Sequence, residues 1–122
     1  MIFHKNMEKL TKENKNFRNV VATGKFSQIV LMSIPAADEI GEETHHHVDQ
    51  IFIFVQGHGT AVIQGIKLAV NPNDLVMVPA GTKHNFINTG TDDLKLVTFY
   101  APPEHKQGIV RKTKKEAVSI LE

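Results

Sequence analysis

The sequence predicts a single domain built from β-strands. Short apolar runs rich in β-branched residues alternate with Gly, Pro and Asn turn signals at a spacing of about 8–12 residues. No central stretch has the 3.6-residue period of an amphipathic helix, which argues against alternating strands and helices. With 122 residues and 41% hydrophobic content, the chain can form one ordinary core. We therefore expect a sandwich or barrel of short strands.

The predicted elements divide the chain into three parts. Residues 1–19 are polar and form an N-terminal arm with a helical turn around residues 7–10. The β-domain spans residues 20–110, and residues 111–122 form a C-terminal segment with the pattern of a short amphipathic helix. The predicted strands are residues 26–34, 50–55, 60–63, 67–70, 74–78, 85–88 and 94–100.

Composition excludes several classes of function. Fourteen Lys and Arg balance thirteen Asp and Glu, so the net charge of +1 predicts neither a nucleic-acid nor a membrane partner. The absence of Cys excludes disulfides, thiolate catalysis and thiolate metal sites. The charged N-terminus lacks the apolar region of a signal peptide, and no apolar run is long enough to cross a bilayer. We therefore expect a soluble cytoplasmic protein.

The strand at residues 50–55 is apolar on both faces. Gln50, Phe52 and Phe54 share one face, and Ile51, Ile53 and Val55 share the other, because side chains alternate along a strand. One face is expected to line the interior of the domain. The other must meet a second sheet or another subunit, and for so small a chain this predicts a homodimer.

Three adjacent histidines, His45 to His47, stand among the seven in the chain. If this segment is extended, Glu43, His45 and His47 point the same way. Gln50 is out of phase with them, so a turn or bulge around residues 48–49 is needed for it to join the group. Imidazole and carboxylate are ligands for Mn, Fe, Ni and Zn, so the pattern indicates a site for a divalent metal ion.

A second segment supplies another histidine far along the chain. Pro79 and Gly81 predict a tight turn, and His84 follows it at the start of the next strand. His84, Phe86 and Asn88 then share one face of that strand. Alone, His84 would be interpreted as a surface residue with a hydrogen bond, but a second histidine cluster favours a metal-ligand role.

These residues resemble the two motifs of the cupin superfamily, written G-x5-H-x-H-x3or4-E-x6-G and G-x5-P-x-G-x2-H-x3-N. Asn73 replaces the opening glycine of the second motif and tolerates the left-handed backbone almost as well. In the first motif, Gln50 takes the place of the usual Glu. The positions that match in spacing are Gln50 and Gly57 in the first motif, and Pro79, Gly81, His84 and Asn88 in the second.

The spacing of the first motif leaves two registers for the histidines. A four-residue spacer assigns Glu43 and His45 to the two histidine positions, whereas a three-residue spacer assigns Thr44 and His46. The first register supplies two ligating side chains and is preferred. The resemblance then implies a metal site formed by Glu43, His45, Gln50 and His84, with His47 as a spare candidate.

The resemblance also implies a fold and a pocket. Cupins are small double-stranded β-helix, or jelly-roll, barrels, so we expect this fold with a short C-terminal helix. Side chains expected to line the barrel interior and its pocket are Phe52, Phe54, Met77, Phe86 and Tyr100. Residues 39–50, 101–105 and 112–117 look like one branch of small cupins that is often labelled mannose-6-phosphate isomerase-like.

The function implied is that of a metal-binding small cupin that acts on or binds a small oxygen-rich molecule, sugar-like or carboxylate. The divalent ion (Mn, Fe, Ni or Zn) would act as a Lewis acid, as in an isomerase or oxygenase. The alternative is a non-catalytic module that binds a small molecule. His58, between two glycines, and His105, after two prolines, are expected to have surface and structural roles.

Overall fold

The structure is a computed structural model that describes residues 2–119, so Met1 of the predicted arm and residues 120–122 of the predicted C-terminal segment lie outside the described residues. No helix within residues 2–119 has the length and apolar character needed to span a membrane. The elements are α1 (Met7–Glu13), β1 (Arg18–Thr23), β2 (Gln28–Ile34), β3 (Asp49–Gln56), β4 (Gly59–Ile63), β5 (Ile66–Val70), β6 (Leu75–Val78), β7 (His84–Asn88), β8 (Leu94–Ala101), β9 (Val110–Arg111) and α2 (Lys114–Ser119).

Two antiparallel sheets form the barrel. The larger sheet has the order β6-β3-β8-β2-β1-β9 and the smaller has the order β5-β4-β7. The core lies between them, where the rings of Phe52 and Phe86 have their centres 4.3 Å apart and Phe54 packs at 5.3 Å from Phe86. The predicted all-β jelly-roll fold with a short C-terminal helix is confirmed.

The seven predicted strands correspond to β2 to β8, and their ends differ from the prediction by no more than two residues. Strands β1 and β9 were not predicted, and β1 begins two residues before the expected start of the barrel at residue 20. Helix α1 extends beyond the expected single turn, to Glu13. The side chain of Asn6 caps its start by accepting a hydrogen bond from the Lys9 amide.

The outer face of strand β3 continues onto its neighbour β6. Ile51 and Ile53 are partly buried on this face and pair with Met77 and Leu75, which are 57% and 67% exposed. The prediction that Met77 lines the barrel interior is therefore wrong. Its pairing with Ile51 fixes its side chain on the outer face, and Val78 points inward in its place.

The turn before β6 confirms the expectation for Asn73. Its φ of 73° lies in the left-handed region, as the glycine of the second motif would require. Its amide donates a 2.7 Å hydrogen bond to the carbonyl of Phe54, so the turn is joined directly to strand β3. The residue type is thus explained by backbone conformation.

Candidate metal centre

The two motif segments meet at one end of the barrel. The amide of Glu43 donates to the carbonyl of His84 at 2.8 Å, and the amide of His84 donates back to the carbonyl of Glu43 at 2.9 Å. This bridge attaches the loop after β2 to the first residue of β7. It brings the first-motif residues beside the second-motif histidine, as the resemblance implied.

His45 is the only one of the three adjacent histidines that turns inward. The chain bends at His46 and His47, whose side chains are exposed, whereas the side chain of His45 is only 13% exposed. The bend thus falls just before the expected bulge at residues 48–49, and β3 begins at Asp49 with Gln50 facing inward. His47 therefore lies away from the other candidate ligands.

Glu43, His45 and His84 converge at this end of the barrel. The Nε2 atom of His45 lies 2.8 Å from a carboxylate oxygen of Glu43, and this contact is the largest cause of the raised pKa of His45. The ring centres of His45 and His84 are 5.8 Å apart. Among the described residues, no three His, Asp or Glu side chains lie close enough to hold a metal ion by themselves.

The tautomer of His84 follows from its hydrogen bond. Its Nδ1 lies 2.9 Å from the carbonyl oxygen of Thr82, and a carbonyl can only accept. The hydrogen of the neutral ring is therefore on Nδ1, which leaves the lone pair on Nε2. Metal-ligating histidines in proteins are commonly held in this way by a backbone carbonyl.

Gln50 is buried, and its amide orientation is fixed by Thr98. The Thr98 hydroxyl donates its one hydrogen to the Ile51 carbonyl at 3.0 Å, so it can only accept from Gln50. The Nε2 of Gln50 donates to it at 3.1 Å. The Oε1 of Gln50 is consequently turned away from Thr98, and it is buried without a hydrogen-bond partner.

Electrostatics favour a charged pair at the site. Burial opposes ionisation of Glu43, but the hydrogen bond and charge of His45 and the charge of Arg18, with a smaller contribution from the neighbouring His84, outweigh it and lower the pKa of Glu43. The Glu43 carboxylate raises the pKa of His45, with burial acting in the opposite direction and Glu104 adding to the increase. The site thus holds a basic imidazole between the carboxylates of Glu43 and Glu104.

Tyr100 closes the inner side of this group. Burial raises the pKa of its hydroxyl far above the usual range, and the charge of Glu43 adds to the effect, whereas Gln50 and Arg18 act against it. The Oε1 of Gln50 makes no hydrogen bond, either to this hydroxyl or to any other described group. Tyr100 packs edge-on against His45, with ring centres 5.8 Å apart. It therefore serves as a neutral wall of the site.

Sequence reasoning missed two residues that the structure places at the site. The carboxylate of Glu104 lies 3.1 Å from Nδ1 of His45, and Arg18 is 9% exposed on the inner side of β1. The segment 101–105 was noted only as part of a family resemblance. For Arg18 the available signal was the alternation along β1, which turns Arg18 and Val20 inward.

The remaining predicted residues fall into two groups. Phe52, Phe54, Phe86 and Tyr100 are buried in the barrel interior, and their role as a ligand pocket stays a prediction. His58 is exposed and pairs with Asn71 at 2.7 Å. His105 packs on Tyr100 with ring centres 5.0 Å apart.

Fold and site together define a small cupin. Residues 30–100 match the family described as Cupin domain, and the chain belongs to that family. The finer resemblance to a mannose-6-phosphate isomerase-like branch stays a prediction.

The chain is similar to three proteins from Bacillus species. The crystal structure of BH2720 from Bacillus halodurans is 38% identical, with a TM-score of 0.95, and the alignment covers 97% of this chain and 94% of that one. The uncharacterized protein YrkC of Bacillus subtilis is 42% identical over 120 residues, 93% of this chain and 64% of YrkC. The acireductone dioxygenase of Bacillus subtilis is 39% identical over 74 residues, 53% of this chain and 40% of that enzyme. This chain thus spans under two thirds of the length of YrkC and less than half of the dioxygenase.

Proposed function

We propose that this chain is a metal-binding cupin that binds or acts on a small oxygen-rich molecule. The residues that would hold the divalent ion are Glu43, His45, Gln50 and His84. The observation that carries the proposal is the buried Oε1 of Gln50, an acceptor without a hydrogen-bond partner at the end of the barrel where Glu43, His45 and His84 converge. Buried polar atoms in folded proteins nearly always have a partner, so this oxygen indicates a missing one.

The donor chemistry of the set fits a divalent cation. Two imidazoles, one carboxylate and one amide oxygen suit Mn, Fe, Ni or Zn. Counted together, the divalent cation and its four proposed ligands carry a net charge of +1, because Glu43 is the one charged ligand among them. A bound divalent ion supplies Lewis acidity, which polarises the oxygen atoms of a ligand.

Two observations bear on the ligand of the site. The positive charge of Arg18, buried on the inner side of β1, acts on both Glu43 and Tyr100. It therefore adds to the positive potential that an anionic oxygen would meet. The similarity to an acireductone dioxygenase supports a small-molecule ligand in general, so the preference for a carboxylate rests on Arg18 alone.

A non-catalytic binding module is the second candidate function. Glu43, His45 and His84 are all assigned to the cation, so none of these three is left to act as a general base. Tyr100 is unsuitable because burial raises its pKa. An isomerase, which must move protons, therefore needs a base other than these four residues, whereas a binding module needs none.

The test is the cation content of the purified protein and its Zn²⁺ affinity by calorimetry, for the wild type and His84→Ala. The control is His46→Ala with His47→Ala, which removes the exposed histidines that could bind Zn²⁺ at the surface. We expect one tight site in the wild type and control, and its loss in His84→Ala. Equal Zn²⁺ binding by His84→Ala would contradict the assignment.

A second copy of the chain is the proposed partner. The outer face of β3 and β6 presents Ile51, Ile53, Leu75 and Met77 as one continuous apolar surface. A two-fold dimer brings such a surface against itself, which buries apolar area on both subunits. Cytoplasmic location, and the absence of nucleic-acid or membrane partners, stay expectations from the charge and composition.

A further inference from the structure

The segment that follows β8 crosses the end of the barrel at the candidate site. There Glu104 approaches His45, with a carboxylate oxygen 3.1 Å from Nδ1, and His105 packs edge-on against Tyr100. Glu43 lies on the other side of the same ring, with a carboxylate oxygen 2.8 Å from Nε2. Because carboxylates accept hydrogen bonds, the two acids compete for the one hydrogen of the neutral ring, and a cation can bind Nε2 only when that hydrogen is on Nδ1, beside Glu104.

The buried side chain of Gln28 anchors this segment. Its Oε1 accepts hydrogen bonds from the amides of Glu104 and His105, at 3.2 and 3.0 Å. Its Nε2 donates to the carbonyl of His105 at 2.7 Å and to the hydroxyl of Thr23 at 3.0 Å. Gln28 is only 1% exposed, so all its hydrogen-bonding capacity is used inside the protein.

The sheet register explains why Gln28 can reach this place. In the larger sheet Gln28 pairs with Tyr100, and Tyr100 pairs with Gln50 on its other side. The three side chains thus form one row across β2, β8 and β3, at the level of the candidate site. Gln28, which anchors the crossing segment, and Gln50, which is assigned to the cation, therefore lie two strands apart in the same row.

We infer that Glu104 is a positioning residue of the cation site, which orients the ring of His45 and favours the tautomer with its hydrogen on Nδ1, and that Gln28 holds Glu104 in place. This inference rests on the proposed function. Carboxylate–histidine pairs behind a metal ligand keep the ligating nitrogen free of hydrogen, and their loss typically weakens metal affinity by about 10- to 100-fold. Nothing in the motif spacing includes Glu104 or Gln28, since they join the site only through the fold.

The first test compares Glu104→Ala, Glu104→Gln and the wild type. The Gln variant keeps an oxygen acceptor and should rescue most of the effect. A matched control is Glu42→Ala, because Glu42 is an exposed acid paired with Lys83 at 3.6 Å. The readouts are Zn²⁺ affinity by calorimetry and the His45 tautomer in the metal-free protein, from nitrogen-15 NMR at a pH where the ring is neutral.

In the wild type and Glu42→Ala we expect the Nδ1–H tautomer of His45 to be populated to the same extent. In Glu104→Ala the Nε2–H tautomer should gain population and Zn²⁺ affinity should fall by about 10- to 100-fold. An unchanged tautomer in Glu104→Ala would overturn the inference. If the wild type binds no Zn²⁺ while the tautomer still responds to Glu104→Ala, the cation site fails and the positioning role stands.

The second test concerns the anchor. Gln28→Met keeps the size of the buried side chain but loses its hydrogen bonds. Amide hydrogen exchange at Glu104 and His105 should become faster, and the His45 tautomer should shift as in Glu104→Ala. Exchange at the wild-type rate would contradict the role of Gln28, and if this variant fails to fold, the Glu104 variants still decide the positioning role of Glu104.

Discussion

Thr98 fixes which atom of Gln50 faces the candidate metal centre. The Thr98 hydroxyl donates to the Ile51 carbonyl and accepts from the Gln50 amide nitrogen, so the Gln50 oxygen is left for another partner. Here a glutamine stands where the cupin motif has a glutamate, and the threonine makes it an oxygen donor of defined direction.

The variant Thr98→Val should weaken cation binding. Valine has the shape of threonine but cannot accept, so the Gln50 amide becomes free to present its nitrogen instead. We expect lower Zn²⁺ affinity by calorimetry, together with a loss of stability of about 1–3 kcal/mol, because the buried Gln50 amide nitrogen loses its acceptor. Thr98→Ser keeps the hydroxyl and is the control. Wild-type affinity in Thr98→Val would show that Gln50 is not a ligand.

Cation binding should weaken in acid. Glu43 raises the pKa of His45 above the ordinary histidine value, and protons compete with the cation for Nε2. Below that pKa, affinity should fall by roughly tenfold per pH unit, since one proton is displaced. The metal-free protein has the opposite dependence, because a raised histidine pKa stabilises the fold at low pH, and this contribution is lost as pH rises through the folded-state pKa. Calorimetry between about pH 5.5 and about pH 7.5 measures the first effect; a pH-independent affinity would argue against His45 as a ligand.

The dimer proposal predicts the effect of a charge on the outer face of β6. Met77→Glu places a carboxylate on the apolar surface shared with Ile51. Because burying that charge is unfavourable, sedimentation should show a shift from dimer to monomer. The control Phe26→Glu alters another apolar residue, 74% exposed in the turn between β1 and β2. A wild-type protein that is already a monomer would refute the proposal.

The turn at Asn73 predicts two different stability changes. With φ at 73°, Asn73→Ala should lower the free energy of unfolding by about 1 kcal/mol, because alanine tolerates the left-handed region less well. Asn73→Gly should be nearly neutral, since glycine has no Cβ. Chemical denaturation of both variants measures the difference. Equal stabilities would mean that the backbone conformation does not select this residue.

Local pattern was enough to predict most of the barrel. Strands β2 to β8 have alternating apolar side chains between Gly, Pro or Asn turns, and these two signals are short-range. Strand β1 begins with the polar pair Arg18 and Asn19, so its pattern is obscured, although pairing with β2 satisfies its backbone. Strand β9 has only two residues, too few for any alternation to be seen.

The site was predicted only as far as motif spacing reaches. The spacing leaves two registers, and the number of ligating side chains favours Glu43 and His45 over Thr44 and His46; the structure brings the favoured pair together. Met77 was assigned to the wrong face of β6, because a shift of one residue in a strand moves each side chain to the opposite face. Glu104 reaches His45 through Gln28, 76 residues away in sequence from Glu104, and no local pattern carries such a contact.

Anomalous X-ray scattering from crystals of the protein soaked in Zn²⁺ tests the central claim most directly, because it locates the ion. The account predicts one strong peak at the end of the barrel, in contact with Glu43, His45, Gln50 and His84. Peaks confined to the exposed His46 and His47, with none at the barrel end, would contradict it.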